Sequence, residues 1–132
     1  MLKEGPTCPV LDSSVQYRIN GRSRDDGFDC WQFFRFYHAE RGIVIPDVKY
    51  DETNYLQSLA DCLSAPERMG FAPAESPEDG DLVVLNLAGQ DHCGVYERYS
   101  VLTMTDKGLR TIRWNRAVAF VRQVLRHRSN TA

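Results

Sequence analysis

The sequence predicts an α+β fold in which N-terminal helices pack on a small antiparallel sheet. Three observations carry this. Bulky apolar residues recur at helical spacing in two stretches before residue 64. Runs rich in β-branched residues, separated by short polar turns, fill residues 81–114. A Pro/Ala/Glu-rich connector from Pro66 to Glu78 divides the two regimes. Helices first and a meander second is the order of segregated layers, not of alternating βαβ units.

Residues 1–13 read as an extended lead-in with Pro6 and Pro9, and Gly21–Gly27 (GRSRDDG) as an exposed loop dense in turn formers. A first helix is predicted from about Cys30 to Arg41, with Trp31, Phe33, Phe34 and Tyr37 on its apolar side and Gly42 as its stop. IVIPDV (43–48) is a short extended piece broken by Pro46. A second helix is predicted from about Glu52 to Leu63, capped by Asp51, with Tyr55, Leu56, Leu59 and Leu63 on one face.

Strands follow at DLVVLNL (81–87), HCGVYERY (92–99), VLTMT (101–105) and LRTIRW (109–114), with a turn at Asp106–Gly108. The segment AVAFVRQVLRHR has mixed periodicity and is expected to form a strand through Val121, followed by a frayed basic tail over 122–132.

The 132 residues, 42% hydrophobic and 11% aromatic, are expected to form one domain over 1–132. A chain this size buries about two-thirds of its unfolded surface. It is too short for a barrel enzyme or a two-domain dehydrogenase. No apolar run approaches the roughly 20 residues that cross a bilayer, and MLKEGPTCPVLD lacks the apolar core of a secretory signal. A soluble domain with no membrane span is therefore expected.

A net charge of −2 hides a lopsided layout. All 18 acidic residues lie in 1–106 with nine basic ones, whereas the seven charged residues from Lys107 onward are all basic. Nothing in that basic end interleaves aromatics as a nucleic-acid module does, so no nucleic-acid recognition is expected. It reads as a surface that docks on the acidic body or on another subunit. Cys8, Cys30, Cys62 and Cys93 form no CxxC pair, so reduced thiols, no metal and no cofactor are expected.

Cys30 lies where a polar turn meets an apolar helix. The positive end of the helix dipole favours its thiolate, the form that attacks a carbonyl, and first-turn amides can hold the resulting oxyanion. A base must come from three histidines. His38 reads as a surface or edge residue of the first helix, and His127 as a solvated residue of the tail. His92 opens a strand after a Gly-Gln-Asp turn, at a sheet rim where catalytic side chains are commonly displayed. A helix-start cysteine with a strand-start histidine is papain-like logic.

Three segments, YRINGRSRDDGFDCWQFFRFYHAERGIVIPD (17–47), EDGDLVVLNL and DHCGVYERYSVLTM, resemble the NlpC family of papain-like cell-wall cysteine peptidases. Trp31 after the cysteine and the GIVIPD ending resemble its phage tail-associated branch. The resemblance implies Cys30 as nucleophile, His92 as base and then acid, and Tyr17 and Trp31 on the substrate or oxyanion side. It gives Asp29 a structural role at the helix start. The family's third catalytic residue, usually His, falls on Thr103, which can accept the imidazole N–H but supplies no charge. The family's glycine after the cysteine pair is replaced by Gln32, a side chain expected to crowd the groove. The implied substrate is a peptidoglycan stem peptide, cut at the D-glutamyl to diaminopimelate bond during host entry. Other tail hub or tip proteins are the implied partners, and the virion, assembled in the host cytoplasm, is the implied location. The alternative is a weak or inactive structural protein of the tail tip, and a third reading is a bacterial amidase, acyltransferase or toxin.

Overall fold

A computed structural model describes residues 17–19, 21, 29–48, 50 and 53–129. The expected lead-in, Cys8, the loop beyond Gly21 and the expected cap Asp51 lie outside the described residues.

Helix α1 (Cys30–Ala39) begins at Asp29, whose backbone is extended and whose side chain accepts from the Gln32 amide at 2.8 Å. It ends at Gly42, whose φ of +78° lets the chain turn back so that the Ile43 amide caps the His38 carbonyl. Helix α2 (Tyr55–Ser64) starts later than the sequence predicts, at Asn54, whose side chain makes no capping bond. Its buried residues, Tyr55, Leu59 and Leu63, nonetheless share one face.

The second half forms six strands: β1 (Phe71–Pro73), β2 (Leu82–Leu87), β3 (Gln90–Glu97), β4 (Ser100–Thr105), β5 (Gly108–Arg113) and β6 (Val121–His127). They make one antiparallel sheet in the order β1-β6-β2-β3-β4-β5. Trp31, Phe33, Phe34 and Tyr37 of α1, with α2, cover one face and meet Leu82, Val84, Cys93, Val95, Leu102 and Met104. Val83, Leu85, Tyr96 and Val101 point the other way, onto Ala117 and Trp114 of the short helix α3 (Trp114–Ala117). The LVVL run of β2 is apolar on both faces because both faces are covered.

The chain after Trp114 departs from expectation. In place of a strand ending at Val121 and a frayed tail, one helical turn and a 3₁₀ turn (Val118–Phe120) lead into β6, an interior strand between β1 and β2. The physical reason is charge. Arg126 grips the buried Asp81 with its Nε at 2.9 Å and its Nη2 at 2.8 Å, and Arg122 reaches Asp91 at 3.1 Å. Two arginines of the basic end are thus bound to the chain's own acidic body.

The same docking corrects two histidines. His38, expected at the surface, is wholly buried; its Nε2 lies 2.8 Å from the Gly80 carbonyl and its ring centroid 4.6 Å from that of Phe34. His127, expected to be solvated, is buried against Phe71 at 5.0 Å.

Candidate active site

Asp29 fixes the mouth of α1. One carboxylate oxygen caps the helix, and the other accepts from the Tyr50 hydroxyl at 2.6 Å. First-turn amides of such a helix have no partner within the helix itself. Cys30 therefore sits at the positive end of the helix, pressed onto β3 and β4 by the aromatic face behind it.

Three groups act on the Cys30 thiol. The thiol of Cys93 is the strongest influence holding its pKa well below the ordinary thiol range; hydrogen bonds from His92 and Tyr55 act in the same sense, against burial. The Tyr55 hydroxyl lies 2.8 Å from Sγ. Burial and the charge of Cys30 push the Tyr55 hydroxyl far above the ordinary phenol range, so it stays a donor. Cys93 is pushed the other way from Cys30, chiefly by burial. Of the two coupled thiols, Cys30 carries the charge because it alone has both the helix end and the imidazole.

His92 responds in kind. Its hydrogen bond to Cys30 raises its pKa above the ordinary imidazole value, and the charges of Cys30, Asp106 and Asp91 add to that rise against partial burial. Both shifts favour a charged pair, thiolate with imidazolium. Beside it opens a cavity of about 470 Å³, walled by His92, Tyr55, Tyr17, Asp106, Lys107 and Arg110 among others.

Each residue singled out in the sequence has a place here. Cys30 and His92 act on each other electrostatically, the thiol drawn down and the imidazole raised. Tyr17 lines the cavity, with its pKa pushed up to about 12 by burial and by the Cys30 charge. Asp29 caps the nucleophile's helix.

Trp31 does not stand on the substrate side. Its ring is fully buried in the core, stacked on Phe34 at 5.6 Å and edge-on to Phe71 at 6.4 Å. Thr103 does not take up the imidazole: its hydroxyl donates to the Cys93 carbonyl at 2.9 Å, a bond that holds the strand carrying His92. Gln32 does not crowd the groove. Its amide nitrogen reaches Asp47 at 3.0 Å and the Tyr50 hydroxyl at 3.3 Å, and its oxygen accepts from Arg35 at 2.9 Å. The side chain is held in these bonds and is absent from the cavity wall beside His92.

Sequence reasoning missed Tyr55, Cys93 and Tyr50 as site residues. Tyr55 was hidden in an apolar helical stripe, and its only signal was the single hydroxyl in that stripe. Cys93 is a buried core residue that also acts on the Cys30 thiol. Among the described residues no group of three or more His, Cys, Asp or Glu could hold a metal ion, and no helix is long and apolar enough to cross a membrane.

A cysteine on a helix N-terminus, with a histidine of the adjoining antiparallel sheet on a cavity wall, is a papain-like arrangement. The chain belongs to the NlpC/P60 family, whose model matches residues 14–124. That family is typically one of cysteine peptidases acting on peptidoglycan. A search of curated proteins finds no significant match.

Proposed function

We propose that this protein is a peptidoglycan endopeptidase of a phage tail tip, cleaving the D-glutamyl to diaminopimelate amide of a stem peptide during host entry. The observation that carries the reading is Cys30 at the start of α1, its charge sensed by His92 on the wall of the 470 Å³ cavity. The Cys30 thiolate attacks the amide carbon; a C–S bond forms and the carbonyl π pair moves to oxygen. The imidazolium proton of His92 passes to the amide nitrogen as the C–N bond breaks. Water then attacks the thioester, gives a proton to His92, and expels the thiolate with the carboxylic acid.

With Thr103 bonded elsewhere, no third side chain need hold the ring by a charged bond. The imidazolium is balanced by the Cys30 thiolate and by Asp106 and Asp91. The tail-tip assignment and a virion location rest on the sequence resemblance of Asp29–Cys30–Trp31 and GIVIPD to the tail-associated branch.

A second reading, a structural tail-tip protein with little turnover, is favoured by one observation: the Cys30 side chain is almost wholly covered at rest, 1% exposed. Digestion of purified peptidoglycan by the parent and by Cys30→Ala, read by mass spectrometry of released muropeptides, decides. New fragments ending at D-glutamate from the parent alone support the peptidase. Identical digests support the structural role.

A further inference from the structure

We infer that the Tyr55 hydroxyl is a catalytic group, donating to the Cys30 sulfur at rest and to the substrate oxyanion once the carbonyl is attacked. The second half of this inference rests on the peptidase reading above; the first does not.

The geometry is direct. The hydroxyl lies 2.8 Å from Sγ, and the same side chain walls the cavity with His92, so its oxygen is shared between nucleophile and substrate space. Tyr55 is the first residue of α2, where the backbone is fixed, and its ring packs on Tyr50 at 5.1 Å. Tyr50 is itself tied to Asp29, the cap of the nucleophile's helix. One run of contacts from Asp29 through Tyr50 and Tyr55 thus returns to Cys30.

Charge gives the hydroxyl two successive acceptors. At rest the negative charge is on sulfur. When the C–S bond forms, that electron pair is shared and the charge moves to the carbonyl oxygen, bonded to the carbon that sulfur has just reached. A donor already within reach of the sulfur follows the charge by a small movement, and in a covered site such a bond is worth more than in water. Because burial and the nearby thiolate keep the phenol protonated, the donor is present throughout. Tyr17, which the family resemblance puts in this role, senses the Cys30 charge from the cavity wall, whereas Tyr55 holds the direct bond.

The test is Tyr55→Phe, which removes one oxygen and leaves the ring. The variant is expected to melt near the parent temperature, and to lose about 10²-fold in kcat on a stem tetrapeptide with KM little changed. Its Cys30 is also expected to be alkylated by iodoacetamide with a midpoint at higher pH than the parent, a shift larger than that of Tyr17→Phe. Tyr55→His, which keeps a donor, is expected to recover part of both, and stands in if the phenylalanine variant folds poorly. Turnover within twofold of the parent, or superimposable alkylation profiles, overturns the inference. A parent that cleaves no peptidoglycan overturns the peptidase reading instead, and the alkylation profiles alone then decide the hydroxyl's place at the sulfur.

Discussion

Cys30 and Cys93 are buried in the same core cluster, and the Cys93 thiol is the largest influence drawing the Cys30 pKa down. A neutral S–H aimed at a thiolate is a weak donor, yet it acts here where water is excluded. Cys93→Ala is expected to raise the pH at which Cys30 reaches half its maximal alkylation rate, and Cys93→Ser, which keeps a donor, to raise it less. The readout is mass spectrometry of the Cys30 peptide after timed iodoacetamide exposure. Equal profiles for all three proteins would show that the second thiol is only packing.

Hydrolysis is expected to show a bell-shaped pH profile. The acid limb follows formation of the Cys30 thiolate, whose pKa is held well below the thiol range by Cys93, His92 and Tyr55. The alkaline limb follows loss of the His92 proton, whose pKa is raised by its bond to Cys30. Asp106→Asn removes a negative charge that His92 senses and is expected to move the alkaline limb of kcat/KM to lower pH while leaving the acid limb in place. A profile that moves as a whole would mean that Asp106 acts on neither group in particular.

Gly94 stands on β3 hard against β4. A Cβ there would lie 2.6 Å from Val101 Cγ1 and 2.8 Å from the Leu102 carbonyl oxygen. The neighbouring backbone cannot yield without disturbing the pairing of Val95 with Leu102. Gly94→Ala is expected to cost about 3 kcal/mol of unfolding free energy, at the upper end for overpacking. Urea denaturation followed by tryptophan fluorescence measures it, and a cost below about 1 kcal/mol would mean that the strands separate easily.

Local pattern made α1 and the Cys30–His92 pair legible, because both are written in short spans: an aromatic spacing, an Asp-Cys start, a His-x-Gly strand. What stayed hidden depended on partners far away in sequence. The strand character of 122–127 was masked by alternating arginines, whose acid Asp81 lies on the loop before β2. The burial of His38 was undecidable within its helix, since its ring bonds the Gly80 carbonyl, which lies 42 residues further along the chain. Tyr55 was readable as a helix face and not as a site because nothing in α2 names the sulfur it meets.

His38 makes the fold acid-sensitive. Burial, with lesser opposition from the Gly80 carbonyl, lowers its pKa from 6.5 to about 4; Arg41 and His127 push the same way and Asp81 opposes. The unfolded chain takes up the proton first as pH falls, so the histidine's contribution is complete above pH 6.5 and is lost on the way down to about pH 4. A shift of this size corresponds to about 3 kcal/mol. Urea midpoints are expected to fall across that window, and less steeply in His38→Gln, whose amide can still donate to Gly80. Parallel curves for parent and variant would assign the acid sensitivity to other groups.

The ion pair of Asp81 and Arg126 decides whether β6 holds its place in the sheet. Asp81 is fully buried before β2, accepts both guanidinium bonds, and also accepts from the Glu78 amide at 2.9 Å. Arg126 is 30% exposed, so removing it costs little in its own hydration but leaves a carboxylate stranded in the interior. Arg126→Met, which keeps the apolar stem, is therefore expected to destabilise by about 3 kcal/mol. Asp81→Asn, which leaves the arginine free to reach water, is expected to cost less. The double variant should recover part of the loss, since the neutral amide no longer needs a cation. Urea unfolding of the four proteins gives the coupling directly, and hydrogen exchange at the Leu125 and His127 amides localises it. A coupling below about 0.5 kcal/mol with unchanged exchange in β6 would mean that apolar packing of Leu125, not charge, pins the strand.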